Sequence, residues 1–217
     1  MRELFVRARS EPLISGASGL ADMSDDELAW ETLSSEVAYE CPGFEIVHDD
    51  VRLPDGTETD YDYLTEPPAV VVLPFVADDA TSAEIDADDR EVVVIEEWRQ
   101  AVGRLNRGIP VGSVEPEDDD LTLGAHRELR EETGYEADSV EHVLTTEPVN
   151  GIANSVLHYF VAEGCTPTAE QDLDANETIR VDTASLADLR SAALADDLRD
   201  GRAVTALQHH ALRERGN

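Results

Sequence analysis

The chain contains no lysine: all 16 of its basic residues are arginine, set against 49 aspartates and glutamates. A formal charge of −33 leaves no basic face for a polyphosphate backbone and excludes a nucleic-acid grip. Cysteine is equally scarce. Cys41 and Cys165 are too few for a disulfide framework and lack metal-ligand spacing, so both are expected as small core residues. No apolar run approaches the length of a membrane span. Residues 1–30 mix Arg with Asp and Glu where a signal peptide would carry an apolar segment. These absences lead to the expectation of a soluble, cytoplasmic protein without a membrane or nucleic-acid partner. At 217 residues it is long enough to bury a proper core.

The acid excess suggests adaptation to concentrated salt, where the screening length falls to roughly 3 Å at 1 M and self-repulsion is quenched. It also makes carboxylate pairs common. Asp25-Asp26, Asp78-Asp79, Asp88-Asp89 and Asp196-Asp197 are expected as solvated surface. An acidic motif therefore needs support from rarer residues.

Residues 1–23 lack periodicity and are expected to form a loose arm. Ser24 with Glu27 fits a capping box, predicting a short helix through Trp30 and Leu33. Phe44–Leu53 and Thr57–Leu64 read as strands around the Pro54-Asp55-Gly56 turn. Pro67-Pro68 then divides a β-rich unit, residues 1–66, from a larger domain, residues 67–217. Beyond it, Ala69–Val76 and Glu91–Trp98 read as buried strands flanking an acidic loop, Ala77–Asp89. Asp118–Asp120 offers the cap of a helix ending at Thr133, with Leu121, Ala125 and Leu129 as its buried stripe. Strands are predicted at Val140–Leu144, Val156–Val161 and Thr178–Val181, and amphipathic helices at Ser185–Leu194 and Arg202–Arg213. The pattern is that of a mixed α/β layered fold.

The most informative segment is Arg127-Glu128-Leu129-Arg130-Glu131-Glu132-Thr133-Gly134-Tyr135. On a helix, Glu128, Glu131 and Glu132 crowd one side, and Gly134 marks the helix end. Anions in a last turn oppose the helix dipole, and like charges at this spacing repel. A hard divalent cation, Mg²⁺ or Mn²⁺, would reverse the sign of that local field. The spacing points to a metal site.

This nonapeptide resembles the second half of the Nudix box. Trp98–Arg104 ahead of Pro110-Val111-Gly112, and the hairpin at Val51–Thr59, resemble the ADP-ribose pyrophosphatase branch of that family. The resemblance covers roughly residues 30–215. It implies an α/β/α sandwich with a mixed sheet and a small β-rich N-terminal unit that builds a homodimer and helps cover the substrate. It further implies metal-dependent hydrolysis of a nucleoside diphosphate sugar, ADP-ribose first among them. By position, Glu128 and Glu132 become principal metal ligands, Glu131 a further one, and a backbone carbonyl near Gly112 completes the set. Glu131, Glu132 and Arg127 carry the catalytic role, with Arg127 holding the carboxylates.

Arg99 and Arg104 are candidate phosphate contacts because guanidinium forks suit phosphate oxygens, although either could instead pair with a carboxylate. Tyr61 could stack a base or pack in the core, as could Phe44 and Tyr63. His126 and His158 are expected to be structural or exposed.

Three departures from the box matter. One extra residue lies between Gly112 and Arg127, so that Asp118 or Asp119 meets the place of a glutamate. Gly108 stands where the branch has Glu. Ser155, in the loop Pro148–Ser155, stands where a catalytic base would be, and serine has no useful basicity without an activating partner. The general base is left unassigned. GDP-mannose, NADH or a dinucleoside polyphosphate are alternative substrates, and a nucleotide-sugar binder with weak activity is the alternative from another class.

Overall fold

The computed structural model describes residues 27–77, 89–118 and 120–216. Strands β1 (Glu31–Glu40), β2 (Glu45–Arg52) and β3 (Glu58–Thr65) form an antiparallel sheet in that order. A second sheet contains β4 (Ala69–Val76), β5 (Glu91–Arg99), β6 (Arg104–Gly108), β7 (Val111–Ser113), β8 (Tyr135–Glu136), β9 (Ser139–Thr146), β10 (Leu157–Pro167) and β11 (Ile179–Ser185). Its main path runs β11-β5-β4-β10-β8, with β6 on β5, β7 on β4 and β9 on β10. Only β4 and β10 run parallel among these pairs, so the sheet is mixed. Among the described residues there are three α-helices: α1 (Leu121–Thr133), α2 (Leu186–Leu194) and α3 (Gly201–Gly216).

The strand period of two explains the layering. On β4, Val70 and Val72 face α1, packing with Ala125 and Leu129 and with Phe160 and Ala162 of β10. The alternate residues Val71, Leu73 and Phe75 face the other way, onto Leu186 and Leu189 of α2 and Ala203, Ala206 and Leu207 of α3. Two cores on opposite faces of one sheet make an α/β/α sandwich. Each fully buried Val, Leu or Phe there contributes about 1.5–3 kcal/mol from burial alone. Cys165 is buried in the α1 core, as its size suggests, whereas Cys41 is only half-buried. Among the described residues, no helix is long and apolar enough to cross a membrane.

One sequence expectation fails. The helix through Trp30 and Leu33 is not formed: Glu27-Leu28 is a turn, and Leu33 lies within β1. Glu31–Glu40 pairs along its length with β2, from Glu31↔Arg52 to Glu40↔Glu45. A capping box contributes about 1 kcal/mol at a helix end, less than a long ladder of cross-strand pairs supplies. Ser24, the loose arm at residues 1–23 and most of the acidic loop Ala77–Asp89 lie outside the described residues.

Candidate active site

Helix α1 is built from its ends. Asp120 is the N-cap, its carboxylate accepting from the N–H groups of Thr122 and Leu123 at 2.7 and 3.0 Å. Gly134 closes the other end in the left-handed region (φ 73°), and its N–H bonds to the carbonyl of Arg130. Between these caps, Ala125 and Leu129 pin the helix to the sheet. The same packing turns Glu128 and Glu132 inward, where they are 8 % and 2 % exposed.

Strand β7 receives them. The Val111 N–H donates to Glu132 Oε2 at 3.0 Å. At Gly112 a Cβ would fall 1.9 Å from Glu128 Cδ, so only glycine lets that carboxylate lie against the strand. Arg127 gathers the rest. Its Nη1 donates to Glu128 Oε1 at 2.7 Å and Glu131 Oε2 at 3.0 Å, and its Nη2 to the Ser113 carbonyl at 2.9 Å. Its Nε and Nη2 also hold the two oxygens of Asp118 at 3.2 and 2.9 Å. The carboxylate opposite Arg127 is thus Asp118; Asp119 lies outside the described residues.

Three carboxylates therefore share one guanidinium, with Glu132 buried beside them. Burial pushes the Glu128 carboxyl up to about 7 and the Glu132 carboxyl up to about 8, the Glu128 charge adding to the second shift. Asp118 goes the other way, held below the usual carboxylate range by its bonds to Arg127. Two buried carboxyls that resist ionisation, backed by a glycine that leaves them room, are a donor set suited to a hard divalent cation. A separate group, His48, Asp60 and Asp62, brings donor atoms within 4.8 Å of one another, but both aspartates are exposed and His48 Nδ1 is already bonded to Asp62 Oδ1 at 2.7 Å.

Against β7 opens a cavity of about 840 Å³, lined by Val111, Gly112, Ser113, Arg99, Arg202, Glu66, Ser155 and Tyr159 among others. Its wall carries two guanidiniums, Arg99 and Arg202, and a single carboxylate, Glu66. Arg99 is paired with Glu97 at 2.8 Å. Arg202 is aimed by Asp200, whose carboxylate caps α3 through the N–H groups of Arg202 and Ala203 at 2.9 and 3.1 Å. Asp200 Oδ2 accepts from Arg202 Nη2 at 2.7 Å and Asn106 Nδ2 at 2.8 Å. Burial disfavours the Asp200 charge, but these donors outweigh it and hold the carboxyl below its ordinary range. Asp200 also fills the space beside Gly108: a Cβ there would stand 3.3 Å from its carboxylate.

The other candidates lie outside this wall. Arg104 donates to Asn106 Oδ1 at 2.8 Å and to the Leu105 carbonyl. Tyr61 donates to the Gly151 carbonyl at 2.6 Å and packs edge-on against Trp30. Phe44 meets Tyr39, and Tyr63 meets Tyr61. His158 Nδ1 contacts Thr145 Oγ1 at 3.0 Å, a structural role within the β9–β10 pair. Sequence reasoning did not single out Glu66, Asp200 or Arg202. Asp200 ahead of an amphipathic segment carried an N-cap signal; nothing local to Glu66 marked it, because its partner Ser155 is 89 positions away, and Arg202, though bonded to Asp200 two residues before it, reaches the cavity only through the packing of α3.

This arrangement sets a buried carboxylate cluster beside an arginine-bearing cavity on an α/β/α scaffold. The NUDIX domain profile matches residues 68–207, and the chain belongs to that family. A second profile, the nucleoside diphosphate sugar hydrolase N-terminal domain, matches residues 30–64. The chain is 26% identical over 186 residues to an ADP-ribose pyrophosphatase of Bacillus subtilis (strain 168), covering 85% of this chain and 94% of the relative. It is 25% identical over 185 residues to a methanol dehydrogenase activator of Bacillus methanolicus, with 85% and 94% coverage. A crystal structure of an ADP compounds hydrolase shares the fold, with TM-score 0.70 and 20% identity over 86% of this chain and 95% of that one.

Proposed function

We propose that this Nudix pyrophosphohydrolase, of nucleoside diphosphate sugar type, cleaves the pyrophosphate bond of ADP-ribose with Mg²⁺ or Mn²⁺, releasing AMP and a sugar phosphate. The observation that carries this reading is a pair of guanidiniums on one cavity wall, aimed by Glu97 and Asp200, beside a buried carboxylate cluster. In a chain of −33, one cavity wall sets Arg99 and Arg202 against Glu66 alone, beside the buried carboxylates Glu128 and Glu132. The match of the N-terminal segment and the names of the relatives support a nucleotide-sugar substrate.

Glu128, Glu132 and Glu131, with the Gly112 carbonyl, would hold the cation. When bound, it would neutralise pyrophosphate charge and lower the pKa of a water. Arg127 keeps three of the carboxylates in register through its fork of hydrogen bonds. Arg99 and Arg202 bind the phosphate oxygens, their orientations set by Glu97 and Asp200. Trp30, Val37 and Tyr39, each at least half-exposed on or beside β1, support a homodimer built through the small sheet.

The test is a panel of ADP-ribose, GDP-mannose, NADH and a dinucleoside polyphosphate, incubated in molar salt with Mg²⁺, Mn²⁺ or EDTA. Turnover is expected with metal only and is highest for ADP-ribose, with AMP as product. Equal turnover in EDTA would overturn the metal assignment; a higher kcat/KM for another member would replace ADP-ribose. Tight binding across the panel without hydrolysis would leave a nucleotide-sugar binder.

A further inference from the structure

Attack by water on phosphorus requires somewhere for a proton to go. The carboxylates of α1 each have one oxygen held by the protein, Glu128 and Glu131 by Arg127 and Glu132 by the Val111 N–H, and their other oxygens are the ones assigned above to the cation. We infer that Glu66 is the proton acceptor for the attacking water and that Ser155 positions it. This rests on the hydrolase reading above.

Among the described residues Glu66 is the single carboxylate in the cavity wall, and its setting is built. Ser155 is 5 % exposed, and its hydroxyl donates to Glu66 Oε1. The Glu66 N–H donates to Asn154 Oδ1 at 3.0 Å. The loop preceding Ser155 is tied to the end of β3 by two backbone bonds, Leu64 N–H to Ile152 at 2.9 Å and Asn154 N–H to Leu64 at 3.0 Å. Two residues on, the Pro68 carbonyl accepts from Val114 at 2.8 Å, and β4 continues by pairing Val70 with Gly112. The segment carrying Glu66 is thus anchored both to the Ser155 loop and to the strand that backs Glu128. Glu66 Oε2 has no hydrogen bond among the described residues, leaving it available to a water.

In the step, a water oxygen forms a bond to one phosphorus while Glu66 Oε2 takes one water proton. The bond from that phosphorus to the bridging oxygen breaks, and the electron pair leaves with the second phosphate. Two phosphate monoesters result, and Glu66 returns its proton to solvent. Ser155, unable to act as a base itself, keeps the carboxylate pointed by occupying Oε1.

The experiment measures kcat on the best panel substrate alongside the calorimetric Kd for its α,β-methylene analogue, whose bridge cannot be cleaved. Glu66→Gln is expected to lower kcat at least about 100-fold while changing the analogue Kd less than about threefold. Adding Ser155→Glu to that variant returns a carboxylate to the same wall and is expected to recover at least about tenfold. Ser155→Ala alone is expected to lower kcat by about tenfold with KM unchanged. A Glu66→Gln enzyme within threefold of wild-type kcat, or one whose analogue affinity falls as far as its kcat, overturns the inference. Unaltered analogue binding shows that the variant is folded. A wild-type protein that binds the panel without hydrolysing it removes the hydrolase reading instead, and this step with it.

Discussion

The C-terminal end of α1 and the N-terminal end of α3 both bury ionic groups against the same sheet, and they are balanced differently. At α3 one carboxylate, Asp200, meets the Arg202 guanidinium, the Asn106 amide and two backbone N–H groups. Every lone pair has a donor and the helix dipole favours the anion, so the pair is complete as it stands. At α1, Asp118, Glu128 and Glu131 share Arg127, Glu132 has only the Val111 N–H, and the dipole opposes the three glutamates of the last turns. The first arrangement is complete and aims an arginine; the second leaves carboxylates undercompensated, which is what the proposed cation would balance. Buried charge marks a functional site where the protein leaves it uncompensated.

The comparison is broken most severely at α1. Glu132→Gln keeps an acceptor for the Val111 N–H but removes a charge, and kcat/KM for the best panel substrate is expected to fall roughly a thousandfold. The same variant reports on titration. Burial holds the native Glu128 and Glu132 carboxyls at about 7 and about 8, against 4.5 in the unfolded chain. The metal-free native state therefore binds more protons, and this contribution to stability is lost as pH rises from about 4.5 to about 8. Glu132→Gln should flatten that fall in a metal-free denaturation series across the window. An unchanged slope would show that the carboxyls ionise freely.

At α3 the expected damage is to the fold. Asp200→Ala leaves Arg202 and the first N–H groups of the helix without their acceptor, and should cost about 3 kcal/mol in denaturant unfolding. Asp200→Asn, which keeps an acceptor, should cost less. Equal losses for the two would mean that packing, rather than the ion pair, is what Asp200 supplies. Salt sharpens the contrast more gently. If the surface acidity is an adaptation to brine, Tm should drop by several degrees between 2 M and 0.05 M KCl, while the buried Asp200–Arg202 pair is screened far less. A constant Tm would end the salt proposal.

Much of the fold was legible. Ala69–Val76 and the end of Leu121–Thr133 were marked as the structure has them, and the cap of that helix was placed within Asp118–Asp120, because apolar periods, caps and breakers are local. The start of β1, through Leu33, was read as helix because its strand character depends on β2 being alongside, which no local pattern announces. Of the site, Glu128, Glu131 and Glu132 could be placed on one face by spacing alone, and Gly112 by its motif. Arg99 was named for its chemistry, and the structure puts it in the cavity wall, whereas Arg104 and Tyr61 lie elsewhere.

Sequence by itself therefore determined the carboxylate face of α1, the alternation that builds two cores on one sheet, and the acidity of the whole. Tertiary structure alone decided that Asp118 faces Arg127, that Asp200 stands beside Gly108, and that Glu66 meets Ser155 across 89 positions of chain. The reason is the range of the forces. Helix and strand periods are written in neighbours three, four or two residues apart, whereas a hydrogen bond between distant residues exists only after packing has brought them together.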